Sequence, residues 1–102
     1  MPDIAVIPII SNNAREMHVD NDDTVYWINL NDEDVKLSDL PDIFTTCLPD
    51  SIIICGKDGE NYHVAGPFVI NSQAKGSFLY SSNIIEDGKF TVFSLNDTID
   101  VP

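Results

Sequence analysis

The side chains best suited to nucleophilic or metal chemistry in this 102-residue chain are Cys47, Cys55, His18 and His63. A thiol nucleophile needs a base within hydrogen-bond reach. Cys55 and His63 come closest, on either side of Asp58-Gly59. If Asp58-Gly59 forms a two-residue hairpin loop, Cys55 pairs with Tyr62 and His63 with Ile54. The two side chains then point to opposite faces, which argues against a catalytic dyad. A structural zinc site needs four Cys/His ligands in paired spacing. The four residues are present in number but without that pattern. Neither a hairpin nor a helix around residues 40–48 enforces disulfide geometry between Cys47 and Cys55, so two small buried thiols are expected.

Carboxylates are abundant, with 17 Asp+Glu against 5 Lys+Arg and a formal net charge of −12. Asp20-Asn21-Asp22-Asp23 gathers oxygen ligands, yet an EF-hand loop counted from Asp20 would need Gly where Val25 stands and Glu where Asn31 stands. Paired acids for glycoside hydrolysis need a cleft that a β domain of this length rarely encloses. The glycines are spread singly, leaving no phosphate-binding loop. The expectation is a non-enzyme with no metal and no cofactor.

The elements that would position any site read as β. Short apolar segments are separated by turn residues every eight to twelve positions, the pattern of a small sandwich or barrel. Strands are expected at Ile4 to Ile10, with Pro8 confining it to an edge or bulge, at Glu16 to Val19, and at Thr24 to Leu30. In the last of these a period of two puts Val25, Trp27 and Asn29 on one face and Tyr26, Ile28 and Leu30 on the other. Leu40, Ile43, Phe44, Cys47 and Leu48 form a helical stripe, so a short helix is expected over about residues 39–48, capped by Ser38 or Asp39 and ended by Pro49. Ser51 to Gly56 is nearly all apolar and reads as a central strand. It is expected to form a hairpin with Asn61 to Ala65, Lys57 facing Glu60. A second hairpin joins Asn83-Ile84-Ile85 to Phe90-Thr91-Val92-Phe93 through Asp87-Gly88, with Glu86 facing Lys89. Further strands are expected at Phe68 to Ile70, Ser77 to Ser81 and Thr98 to Val101. The fold class is therefore mainly β, a small single-domain β-sandwich or barrel of about eight short strands and one short helix, spanning residues 1–102.

The charge excludes some partners. Five scattered cations cannot neutralise a run of phosphates or hold an anionic membrane, so no direct nucleic-acid binding and no membrane are expected. The longest apolar run is about seven residues against about 20 for a helical span. Met1-Pro2-Asp3 lacks a basic signal-peptide region, so Asn96-Asp97-Thr98 reads as a coincidental glycosylation pattern and the location as cytoplasmic or virion-associated. Glu16 to Asp42 carries a net charge of −8. Its acids Asp20, Asp22, Asp23, Asp32, Glu33 and Asp34 flank the strand bearing Trp27, and together with Trp27 they form the candidate partner-binding patch. The alternative places Trp27 in the core and leaves the acids to solubility. Two roles fit: a non-catalytic structural or accessory component of a larger assembly, of virion or tail type, docking on neighbouring subunits or further copies of itself; or an acidic inhibitor that mimics nucleic-acid phosphates and blocks a nucleic-acid-binding enzyme.

Overall fold

A computed structural model describes residues 3–9, 16–86 and 89–102, which form eight β-strands and, among those residues, no helix. Strands β1 (Ile4–Ile9), β3 (Thr24–Asn29) and β6 (His63–Val69) make one sheet, in the order β1-β3-β6. The other sheet runs β2-β8-β7-β4-β5, from β2 (Glu16–His18), β8 (Lys89–Val101), β7 (Gly76–Glu86), β4 (Asp34–Ser38) and β5 (Ser51–Ile54). The β class and the strand number match expectation.

Burial follows the alternation of each strand. In β3, Val25, Trp27 and Asn29 are fully buried while the intervening residues are partly exposed. Trp27 lies between the sheets, its ring centroid 5.8 Å from Phe44, 5.6 Å from Phe68 and 5.7 Å from Tyr80 in tilted or edge-on contacts. Its Nε1–H donates to the Tyr80 hydroxyl at 3.1 Å, which satisfies the indole in an otherwise apolar core. Burial pushes the Tyr80 hydroxyl well above the usual phenol range, since no water can solvate a phenolate there. β1 runs parallel to β3 at the sheet edge, where Pro8 costs no central ladder bond.

Residues 39–48 do not form the expected helix. Ile43 and Phe44 are adjacent and both buried, which a helical stripe would also allow, but Cys47 is exposed. The backbone bonds go to the end of β6 instead of within the segment: Thr45 N–H donates to the Val69 carbonyl at 2.9 Å, and Asn71 N–H donates to Ile43 at 2.7 Å. Asp39 takes a left-handed φ of 56°, Pro41 lies within the segment and Pro49 follows it, and the two threonines add little helix propensity, so the neighbouring strand decides its conformation.

The hairpin expected around Asp58-Gly59 is also absent. β5 pairs with β4 and β6 with β3, so the intervening connection crosses from one sheet to the other. The local turn closes one residue later, Asp58 opposite Asn61, with Gly59 at φ 62°. Lys57 therefore does not face Glu60, and the Cys55–Tyr62 register does not form. β5 is an edge strand with Ile53 59% exposed, not a strand covered on both faces. Gly66-Pro67 bends β6 without breaking it, and the segments expected at 77–81 and 83–85 are one strand, as are those at 90–93 and 98–101. Cys47 and Cys55 are free and exposed, not buried. The turns expected at Ser11-Asn12-Asn13 and Asp87-Gly88 lie outside the described residues.

Candidate functional site

Three connections converge at one end of the sandwich. Leu30–Glu33 links β3 to β4, and Cys55–Tyr62 links β5 to β6. The end of the β7–β8 hairpin joins them, because Asp34 pairs with Ile85 and Glu86 pairs with Lys89 as the sequence suggested.

A fully buried asparagine ties these connections together. Asn29 continues the inward face of Val25 and Trp27, so its amide enters the core's rim and must find partners there. Its Nδ2 donates to the carbonyls of Glu33 at 2.9 Å, Ile54 at 3.1 Å and Cys55 at 3.2 Å. Its Oδ1 accepts from the backbone N–H and the side-chain amide of Asn31, each at 2.9 Å. Asn31 in turn donates from Nδ2 to the Ile9 carbonyl at 3.1 Å and accepts Lys57 N–H on its own carbonyl at 2.9 Å. The Asp34 carboxylate accepts Gly56 N–H at 2.8 Å. Gly56 is required by the close approach: a Cβ there would sit 2.1 Å from the Asp32 carbonyl oxygen. The clamp thus fixes both loops and the end of β1 to one another.

The side chains exposed at this end are a mixed set. Leu30 is 38% exposed, Tyr62 47% and Val64 55%. Val64 lies opposite Ile28 across the β3–β6 ladder, and alternation carries Tyr62 and Leu30 to the same outer face one step further. Lys57 Nζ stands 5.5 Å from the Tyr62 ring centroid, within cation–π reach. Asp32, Asp58 and Glu60 are exposed on the same two connections. Apolar and charged side chains are thus exposed on the same connections, a mixture that protein-binding patches share.

The patch expected from the sequence is not assembled. Trp27 is 0% exposed, because the period of two that pairs it with Val25 and Asn29 turns it into the core, and it cannot anchor a partner. The six acids split between the two ends of β3, Asp20, Asp22 and Asp23 before Thr24 and Asp32, Glu33 and Asp34 after Asn29, a separation of roughly 20 Å for six extended residues. Asp23 is itself buried. Its carboxylate accepts the N–H of Asp3 at 2.8 Å and of Asp20 at 2.9 Å, and those bonds hold it below the usual carboxylate range. Asp34 is spent on Gly56; Asp20, Asp22 and Asp32 are exposed and Glu33 half-buried. Leu30, Asn29, Asn31, Gly56 and Tyr62 escaped the sequence reading. One signal for them was legible: an amide in phase with a buried Val and Trp must have buried partners.

No protein-family model and no curated protein matches this chain. Among solved structures it is similar to the crystal structure of the cysteine protease inhibitor EhICP2 from Entamoeba histolytica, with a TM-score of 0.55 and 12% sequence identity over 98% of this chain and 96% of that one. The likeness is one of fold.

Proposed function

We propose that this chain is a non-catalytic protein-binding domain that presents its clamped loop end to the active-site cleft of a cysteine peptidase and inhibits it. The observation that carries the reading is the Asn29–Asn31 network, which holds two loops and a strand end in one arrangement before any partner arrives. Preorganised loops lose little conformational entropy on binding, the property a tight cleft-filling inhibitor needs. The peptidase is suggested by the fold shared with a cysteine protease inhibitor, an analogy and so a hypothesis about the site. Leu30 and Tyr62 supply the apolar contact, and Asp32, Asp58 and Glu60 the rim.

The acidic-mimic reading loses its motive, since the acids of the −8 segment do not form one surface. No feature of the fold favours a virion or tail component over any other protein partner.

The test is titration of the chain into a papain-type cysteine peptidase with a fluorogenic peptide substrate. The expected result is saturable loss of rate, weakened by about 1–2 kcal/mol for Tyr62→Ala and for Leu30→Ala, and unchanged for Asp20→Asn at the other end of β3. Full peptidase activity at a large excess of the chain overturns the proposal, as does equal inhibition by a Leu30→Ala/Tyr62→Ala double variant.

A further inference from the structure

Away from the loops, β2 lies on the half of β8 that pairs with the start of β7, Thr98 to Val101 against Gly76 to Leu79. The ladder sets Glu16 opposite Thr98 and His18 opposite Asp100, and alternation puts Glu16 and His18 on one face of β2. His18 Nδ1 lies 2.9 Å from Asp100 Oδ2, and the other Asp100 oxygen accepts the Ser77 hydroxyl at 2.9 Å. On the opposite side of the ring, His18 Nε2 lies 3.7 Å from Glu16 Oε1. Glu16, His18 and Asp100 therefore bring one ligand atom each within 4.8 Å of one another.

A neutral imidazole that donates Nδ1–H to Asp100 turns its Nε2 lone pair toward the Glu16 carboxylate. In that tautomer Nε2 and the carboxylate both carry lone pairs that a cation can accept. A metal ion at about 2.0–2.2 Å from each would hold them roughly 3.3–3.6 Å apart in near-tetrahedral geometry. The 3.7 Å separation needs only a small adjustment of Glu16, whose side chain is 63% exposed. The outer contacts follow the order seen around metal-bound histidines, in which a carboxylate fixes the ring and is itself hydrogen-bonded.

We propose that Glu16 and His18 Nε2 bind a divalent transition-metal ion of the Zn²⁺ class, with Asp100 as positioning residue for the imidazole, Ser77 as positioning residue for Asp100, and water completing the coordination. An imidazole–carboxylate pair suits Zn²⁺, Ni²⁺ or Cu²⁺, whereas Ca²⁺ and Mg²⁺ take all-oxygen sets. Both ligands sit on a three-residue edge strand, and the imidazole is oriented only while that strand is docked on β8. Binding therefore favours the docked strand.

The test is calorimetric titration of the full chain with ZnCl₂ in a Cys47→Ser/Cys55→Ser background, because the two exposed thiols would otherwise compete. One Zn²⁺ per chain is expected, with a rise in melting temperature at saturation. His18→Ala should weaken binding by about tenfold or more, and Asp100→Asn and Ser77→Ala by about tenfold at the outer contacts. In ¹⁵N NMR, Zn²⁺ should shift His18 Nε2 while Nδ1 keeps its proton, a readout that fold stability alone does not move. Binding that survives His18→Ala, displacement by equal Mg²⁺, or metallation at Nδ1 overturns the proposal. None of these outcomes depends on peptidase inhibition.

Discussion

The Asp23 carboxylate shows how a residue that looks like surface charge becomes a structural part. It closes the β2–β3 turn by accepting the Asp20 N–H and ties the residue before β1 to that turn by accepting the Asp3 N–H, next to Asp22 at a left-handed φ of 69°. The Asp3 N–H is the larger cause of its lowered pKa and the Asp20 N–H the second. With the folded value below 3.8 and the unfolded value near it, the bonds add stability that is present in full above the unfolded value. That stability is lost as pH falls through the folded value. Asp23→Asn should therefore lower stability by about 1–2 kcal/mol at neutral pH, and the gap to the parent chain should close below pH 3.8, read from urea midpoints over a pH series. A gap that stays constant down to pH 2 would assign the effect to packing.

At the scale of elements, β4 is the instructive omission. Asp34-Val35-Lys36-Leu37-Ser38 sits within the acidic segment and is missing from the expected strands, yet Val35 and Leu37 are fully buried and the strand lies between β7 and β5. Its alternation of Val35 and Leu37 with polar residues is legible in the sequence, but it is short and directly follows three acids. Residues 39–48 failed in the opposite way, because a helical spacing was matched by residues whose backbone bonds went to a neighbouring strand. The β5–β6 connection depends on the same tertiary choice. Gly56 shows how tightly it is packed, since a Cβ would meet Asp32 and Glu33 backbone at 2.1–2.8 Å and no side chain could move aside. Gly56→Ala should destabilise by about 1–3 kcal/mol, whereas a Cβ at Gly59 meets nothing within 4 Å and Gly59→Ala carries only the left-handed strain, of about 1 kcal/mol. Thermal melts of the two variants give the order; a reversal would show that loop packing is not what Gly56 provides.

For the molecule as a whole, Trp27 is the contact that both sheets share. Phe68 of β6, Tyr80 of β7 and Phe44 of the 39–50 connection all meet its ring. Trp27→Ala should therefore cost about 3–5 kcal/mol and weaken both sheets together, giving one transition when urea unfolding is followed by far-UV and by near-UV circular dichroism. Two separated transitions would mean that the sheets hold independently. Phe44→Asp is expected to be equally disruptive, because Phe44 is 4% exposed and packs on Trp27, although no helix carries it.

By itself the sequence determined the β class, the alternation that puts Val25, Trp27 and Asn29 on one face, the restriction of β1 to an edge or a bulge at Pro8 and the Glu86–Lys89 pairing, because each rests on contacts between near neighbours or on one residue's own backbone limits. Only the tertiary structure decided which strand pairs with which, that the chain changes sheets after β5, that residues 39–48 bond outward, and that the acids divide between two ends. These depend on partners far apart in the chain, where local spacing carries no information. The loop clamp belongs to the second group: Asn29 announces that it needs partners, and only the fold supplies Glu33, Ile54 and Cys55.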